Sequence, residues 1–564
     1  MDLILDKNNI ELAYRNIKSN KGSHTAGVDN LTIKDIGELD NETLYKTIVN
    51  RLKNFIPNKV RRVEIPKPNG KTRPLGIPTI EDRIIQQSIK QILEPIVEAK
   101  FYRHSYGFRP LRGTDDAMAR AYFLAQIINL HYVVDIDIKG FFDNINHSKL
   151  LKQLWNMGIR DKSLISIISR MLKAEIEGFG IPEKGTPQGG ILSPLLANIN
   201  LNELDHWISS QWHTIPTKYQ YSTDRNKYRV LKKTKLKEVF IVRYADDFKL
   251  FCRTYDDAKN IFEATKLWLK ERLDLEISPE KSKIVKLRKQ YSEFLGIKFK
   301  VIKKGKEKNK TDKFVITSKM LEKAVEKTIK DIKEEIKKIR NGKSNTSKLN
   351  SIIRGKHNYY SIATNVNLDF NKIAFLNNRT IERKLNARRL TPEDKVPKYI
   401  QEHYGGSKQL RIVNKTVMIP IGFIQMRILL GYHQKSIFVK SERATLHKHI
   451  EDIEIKKIMN YMMDNPIENR SIEYNDNRLS LYIAQKGKCY VTGKLLEIDE
   501  IHCHHKKQRA KGGGDEYKNL VILHKDVHRL LHLKDGEKIY EQTEVLKLDE
   551  SQAKKLLKLK SMLL

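Results

Sequence analysis

Through the first half of the chain, apolar positions recur with period 2 in some segments and period 3.6 in others, as in a mixed α/β region. His131–Ile138 (HYVVDIDI) is β-rich and too short for a core helix, so it reads as a strand with Asp135 and Asp137 on one face. Val239–Tyr244 (VFIVRY) and Phe248–Cys252 (FKLFC) flank Ala245-Asp246-Asp247, which predicts a β-hairpin with a short acidic tip. Period 2 sends Asp246 and Asp247 to opposite sides, and adjacent carboxylates at a tight turn repel unless a cation lies between them. Lys303–Lys313 (KKGKEKNKTDK) has no large apolar residue and reads as a solvated loop or hairpin tip. Lys319–Arg340 then sets Leu321, Val325, Ile329, Ile332, Ile336 and Ile339 on one stripe opposite lysines. That pattern predicts an amphipathic helix of about 20 residues, stopped at Asn341-Gly342. A mostly helical stretch to about residue 440, a charged helical segment to about 470 and a compact His-rich module complete the chain.

Composition narrows the partner. The 564 residues hold 106 Lys+Arg against 68 Asp+Glu, a formal net charge of +38, which points to a polyanion such as nucleic acid. No window approaches the ~18 uninterrupted apolar residues of a membrane span, so no membrane partner is expected. The opening Met-Asp-Leu-Ile-Leu-Asp-Lys carries acid where a signal peptide carries base, and the 3 cysteines (Cys252, Cys489, Cys503) fit a reducing compartment. A cytoplasmic location follows as the expectation, bacterial by default with an organelle left open.

Two groups of residues carry chemistry. The first joins the acidic strands to Gly185–Pro194 (GTPQGGILSP), a Gly-rich turn before an apolar helix, and to Ile65–Pro78 (IPKPNGKTRPLGIP), a basic hairpin with Lys67, Lys71 and Arg73. The glycines would let backbone approach a flat or phosphorylated ligand closely. Carboxylates, glycines and cations are the parts of two-metal phosphoryl transfer, in which oxygen ligands hold two Mg²⁺ about 3.5–4 Å apart. The second group is His502-Cys503-His504-His505, then Gly512-Gly513-Gly514, Asn519, His528 and His532. His528 and His532 stand one helical turn apart, and a strand-borne His pair completes a metal site. A structural zinc knot and a metal-dependent nuclease both fit this pattern; no Cys-x-x-Cys pair is present, since position 492 is Thr.

The first group resembles the reverse transcriptases of group II introns. Tyr244-Ala245-Asp246-Asp247 is similar to their YADD signature and Asp137–Asp143 (DIKGFFD) to their first aspartate motif. Ser105–Arg112 (SYGFRPLR), Thr186–Gly190 (TPQGG), Glu280-Lys281 and Phe294-Leu295-Gly296 match further blocks in family order across about residues 60–300. The resemblance implies that Asp137, Asp246 and Asp247 are catalytic, with Asp137, Ile138 and Asp246 at the metals and Asp135 as rival to Asp137. It implies that Lys67 and Arg73 hold the triphosphate and that Gln188 lines the nascent base pair. Phe142 would exclude ribonucleotides, and Lys281 would sit near the leaving pyrophosphate. The fold implied is an α+β multidomain right-hand polymerase: fingers and palm over 1–315, an α-helical thumb and domain X over 316–440, and a DNA-binding segment over 441–470. Residues 471–564 would form a small ββα-metal nuclease domain and tail.

In the basic helical region, His357-Asn358-Tyr359-Tyr360 and Arg379–Arg389 set aromatics beside cations, as RNA binding requires. If 6–10 phosphates are contacted, affinity falls roughly 10³–10⁵-fold between 50 and 200 mM salt. The His-rich module resembles an HNH endonuclease. That implies His504, His528 and His532 as ligands of one divalent ion (Mg²⁺, Mn²⁺ or Zn²⁺), His505 as general base and Asn519 as the residue that braces the loop and orients His505. Together the resemblances imply a protein of mobile introns that binds intron RNA, assists splicing, nicks target DNA and extends the nick with dNTPs. A host-adapted reverse transcriptase, or a splicing factor without polymerase activity, are the alternatives; the sequence leaves the oligomeric state open.

Overall fold

The structure is a computed structural model that describes all residues except 67–69, 71, 307–311, 430–435, 443–452, 534–547 and 564. The chain divides into two compact units, each assembled from separated stretches: Met1–Lys100 with Asn146–Leu196 and Ser436–Leu564, and Phe101–Ile145 with Ala197–Lys435.

In the first unit, helix α1 (Lys7–Ser19) starts at Asp6, whose carboxylate accepts from the Asn9 amide, and buries Ile10, Ala13, Tyr14 and Ile17 at helical spacing. It packs on α3 (Ile80–Glu98), with α2 (Asn41–Lys53) beside both. Strands β1 (Arg61–Pro66) and β2 (Thr72–Ile77) pair antiparallel, Ile65 opposite Arg73, so the basic segment is a hairpin. The Gln188 carbonyl accepts from the Gly76 amide at 2.7 Å. Gly189, at φ +118, comes so close that a Cβ would fall 2.5 Å from the Gly76 carbonyl oxygen. The close approach expected of this turn is therefore made, at Gly189, to the chain's own strand.

The second unit is built on a four-stranded antiparallel sheet. Its strands β3 (Tyr132–Asp137), β4 (Val239–Tyr244), β5 (Asp247–Cys252) and β6 (Lys283–Lys286) lie in the order β4-β5-β3-β6. Val133, Val134 and Ile136 of β3 are buried, as are all but the first residue of β5, because the sheet is covered on both faces. A smaller sheet joins β7 (Ser292–Phe294), β8 (Ile297–Lys306) and β9 (Asp312–Met320); the tip of its long hairpin lies outside the described residues. Lys319 and Met320 pair with Lys298 and Ile297, so the amphipathic helix α5 (Glu322–Arg340) begins three residues later than its stripe suggests. It buries Val325, Ile332, Ile336 and Ile339, and packs on α6 (Thr346–Tyr360) and α7 (Val366–Leu385). Short strands at 388–389, 411–413 and 416–418 interrupt the helices that follow.

The C-terminal part of the first unit has its own core. Helix α8 (Ile472–Ala484) precedes paired antiparallel strands β10 (Ile501–His505) and β11 (Leu520–His524), then α9 (Lys525–His532) and α10 (Glu550–Leu563). Val521, Leu523, Val527, Leu530, Leu531 and Leu556 lie in one buried cluster there. Among the described residues, no helix is long and apolar enough to cross a membrane.

Candidate functional site

The ladder of the main sheet gathers acid at one end. Asp137 and Asp247 are direct cross-strand partners, and Tyr244 pairs with Asp247, so Ala245-Asp246 is a two-residue turn. Directly opposed residues have Cα atoms about 4.5–5.5 Å apart, close enough for their carboxylates to share oxygen-coordinated ions. Asp137 is fixed on both sides of its backbone: its amide binds the Ser282 hydroxyl and its carbonyl accepts from Ser278. Its carboxylate meets Lys281 Nζ at 3.2 Å. Asp247 keeps solvent contact. Even so, loss of hydration and the charges of Asp135, Asp246 and Asp137 push its pKa up to about 6, against Lys249. These carboxylates crowd one another and suit a cation between them.

Asp135 is a different case. Its carboxylate is buried, 2.7 Å from Lys249 Nζ, and accepts from the Ser292 hydroxyl at 3.0 Å. A carboxylate already neutralised in this way has little left for a metal, which favours Asp137 over its rival.

The turn rests on a buried network. Ala245 has φ +58, and a Cβ on Gly107 would fall 2.3 Å from the Ala245 nitrogen, so position 107 must be glycine for the turn to lie there. Arg243, fully buried, donates from Nε to Asp205 Oδ1 at 2.8 Å and from Nη2 to Asp205 Oδ2 at 2.6 Å. Its Nη1 donates to Asn198 Oδ1 at 2.9 Å and to the Ala245 carbonyl at 2.8 Å, while Asn198 Nδ2 donates to the Gly107 carbonyl at 2.8 Å. Asp205 and Asn198 lie on helix α4 (Ser193–Ser210). Phe142, half-buried just past β3, packs edge-on against Phe108 and Phe141 with ring centroids 6.3 and 5.4 Å apart.

The second cluster lies on β10 and α9. One ring nitrogen each from His504, His528 and His532 lies within 4.8 Å of the other two. His504 Nε2 is buried with no hydrogen-bond partner, and His528 Nε2 stands 3.2 Å from His532 Nε2. Burial, reinforced by the neighbouring histidines, holds His504 down to about 4 and His528 to about 3. Three converging imidazoles, one with an orphaned buried ring nitrogen, fit a divalent ion. His505, next along the strand, stacks on Tyr474 and meets Asp515 Oδ1 through Nε2 at 2.7 Å. Burial alone would raise Asp515, but hydrogen bonds from His505 and Ser471 bring it below its ordinary value. Asp515 is therefore the acceptor, and the His505 Nδ1 lone pair stays available for a proton.

A reverse transcriptase (RNA-dependent DNA polymerase) family profile matches residues 65–299. The group II intron-encoded protein LtrA of Lactococcus lactis subsp. cremoris is 33% identical over 430 residues, covering 65% of this chain and 70% of that protein. The chain belongs to the group II intron-encoded proteins. Other relatives are YkfC of Escherichia coli (strain K12), 32% identical over 291 residues (48% of this chain, 75% of YkfC), and a putative COX1/OXI3 intron 2 protein of Saccharomyces cerevisiae, 31% identical over 336 residues (53% and 39%). This intron-encoded protein thus carries a reverse transcriptase domain, a class that works with divalent metal, in general Mg²⁺; the carboxylates of Asp137, Asp246 and Asp247 fit such ions.

Not every residue singled out in the sequence joins these clusters. Arg73, exposed on β2, and Gln188 belong to the first unit, and Lys67 lies outside the described residues. Ile138 is buried and bridges Ile277. In the basic helices, His357 and Tyr360 are buried, His357 between the Ile421 carbonyl and Tyr404, while Tyr359 stays 39% exposed and donates its hydroxyl to the Leu295 carbonyl at 3.0 Å; Arg379 and Arg383 are exposed. Asn519 holds a loop, not the His505 ring. Its side chain bonds the Lys507 amide and carbonyl and the Gly514 carbonyl, at 2.8, 3.0 and 2.8 Å, and the ring's partner is Asp515. Sequence reasoning passed over Arg243, Asp205, Asn198 and Asp515. Arg243 beside the acidic turn, a lone cation inside an apolar strand, was the one available signal.

Proposed function

We propose that this group II intron-encoded protein is an RNA-directed DNA polymerase and splicing maturase whose C-terminal module is an HNH endonuclease, acting together in target-primed reverse transcription during intron mobility. Residues 1–315 would be fingers and palm, 316–440 thumb and domain X, 441–470 a DNA-binding segment and 471–564 the nuclease and tail. The observation that carries the reading is the strand register that sets Asp137 opposite Asp247 beside the Asp246 turn.

Asp137, Asp246 and Asp247 would hold two Mg²⁺, which supply activation of the primer 3′ hydroxyl and neutralise the leaving pyrophosphate. Lys281 compensates Asp137 and stands ready for phosphate. Phe142 bears on the sugar 2′ position and selects dNTPs, with Lys67, Arg73 and Gln188 as the proposed nucleotide contacts. Exposed Arg379, Arg383 and Arg389 offer charge to intron RNA, whereas Arg388 is paired with Asp394.

In the nuclease, His504, His528 and His532 would hold one divalent ion that polarises the scissile phosphate. His505 Nδ1 takes a proton from water, the oxygen bonds to phosphorus, and the P–O3′ bond breaks with its electrons on the 3′ oxygen, which takes a proton from solvent to become a 3′ hydroxyl while His505 returns its proton to solvent. That hydroxyl is the primer the polymerase needs. Target choice would come mainly from pairing by the intron RNA, with the protein supplying backbone contacts. The expected location is the bacterial cytoplasm.

The test separates the two centres. Asp246→Asn is expected to abolish extension on an RNA template with Mg²⁺ while RNA binding persists. His505→Ala is expected to stop nicking of duplex target but spare extension from a pre-annealed primer. Loss of both chemistries from either change, in a folded protein, overturns the reading.

A further inference from the structure

The C-terminal module makes a run of polar contacts that neither metal cluster uses. Helix α8 lies against α1 within one compact unit, although 461 residues separate Arg15 from its partner Asp476. Lys18 Nζ reaches Asp476 Oδ2 at 3.0 Å, Glu473 Oε2 at 2.9 Å and Asn477 Oδ1 at 2.7 Å. Nearby, the Ile472 amide donates to the Leu39 carbonyl at 2.7 Å, and Asp40 and Ser471 form an antiparallel bridge. An isolated surface ion pair contributes about 0–1 kcal/mol, but here Asp476 is only 10% exposed and backbone bonds lock the same contact.

These contacts end on the residues that hold Asp515. The Ser471 hydroxyl donates to Asp515 Oδ2, and Asn477 Nδ2 donates to the Asp515 carbonyl at 2.7 Å. Asp515 Oδ1 then takes His505 Nε2 at 2.7 Å. Ser471 has a further anchor, because its hydroxyl also caps α8 by accepting from the Tyr474 amide at 3.1 Å.

We propose that the N-terminal helical segment is the positioning partner of the nuclease base: its docking on α8 sets Ser471 and Asn477, these set Asp515, and Asp515 fixes the His505 ring. The inference rests on the reading of His505 as the general base. Asp515 and Ser471 are positioning residues here; neither touches the reacting phosphate. A rotation of the ring by a fraction of its width moves the proton acceptor off the attacking water, and misplacement of about 1 Å can cost roughly 10²-fold in rate.

The experiment uses the full chain, supercoiled plasmid DNA with Mn²⁺ as the nicking probe, and amide hydrogen exchange over 472–484 as a reading of docking that needs no activity. Arg15→Asp is expected to speed exchange there and slow single-turnover nicking at saturating DNA at least about tenfold, with the half-saturating DNA concentration unchanged. Asp476→Arg added to Arg15→Asp is expected to restore both in part, because Lys18 keeps Glu473 and Asn477 but meets a like charge at position 476. Primer extension stays at the parent rate throughout. Unchanged exchange in Arg15→Asp overturns the docking. Faster exchange with undiminished nicking, while His505→Ala does not nick, overturns the positioning role alone. Equal nicking by the parent and His505→Ala removes the nuclease reading and this inference with it.

Discussion

Asp135 and Lys249 face each other across β3 and β5, carboxylate oxygen to ammonium nitrogen 2.7 Å apart, both out of water. A buried pair adds little net stability, yet breaking it strands a charge at about 3–5 kcal/mol. Lys249→Met is therefore expected to lower the urea midpoint sharply, and adding Asp135→Asn to recover much of the loss. Asp137→Asn is expected to leave the midpoint nearly unchanged while extinguishing primer extension. A Lys249→Met chain as stable as the parent would show that Asp135 is not held as a charge.

Asn198 links Gly107, Arg243 and, through Arg243, the Ala245 carbonyl. Asn198→Ala is expected to slow primer extension roughly 10–100-fold through misplacement of Asp246, with RNA affinity unchanged. Rapid-quench kinetics on a primed RNA template reads it directly. An extension rate equal to the parent's dismisses the network as a support of the turn.

The three-histidine cluster predicts a metal isotherm that depends on its most exposed member. Calorimetric titration with Zn²⁺ or Mn²⁺ should show one binding event lost in His532→Ala. Primer extension with Mg²⁺ is expected to stay within about twofold, because the histidines share no ligand with the carboxylates of the second unit. Retention of the event in both His532→Ala and His528→Ala would exclude this cluster as a metal site.

Two buried histidines make the second unit acid-sensitive. Burial, with nearby arginines, holds His131 down to about 4 and His213 to about 3. Unfolded, each titrates near 6.5, so below that pH the unfolded chain binds protons that the folded one refuses. Stability is thus full above about 6.5 and drains as pH falls toward these values, by up to about 1.4 kcal/mol per pH unit for each histidine. Urea midpoints between pH 7 and 5 should drop accordingly, less steeply in His213→Asn. Midpoints independent of pH over that interval contradict the burial of neutral imidazole.

Much of this was legible as pattern. Alternation in His131–Ile138 and the two apolar runs around Ala245-Asp246-Asp247 were enough for the strands and the turn, whereas Asp137 is set apart from Asp135 only by the resemblance, through its place just before Ile138-Lys139-Gly140. The i,i+4 spacing of His528 and His532 was enough for their shared helix face. What escaped was compensation over distance. Asp205 reads as one acid on a helix, and only folding shows it under Arg243, 38 residues away. Asp515 hid similarly, since nothing in its spacing marks it as the partner of His505. The start of α5 lies later than the stripe suggests because stripes report burial, and Met320 is buried as a strand residue opposite Ile297.

The partnership of α1 with α8 also orders events at the ribosome. Translation at about 5–20 residues per second separates Arg15 from Asp476 by roughly half a minute or more. The second unit, complete by Lys435, can close while α1 still waits with its cations solvated. A nascent chain would thus complete the sheet that sets Asp137 opposite Asp247 before the helix that pairs with Arg15 has been made.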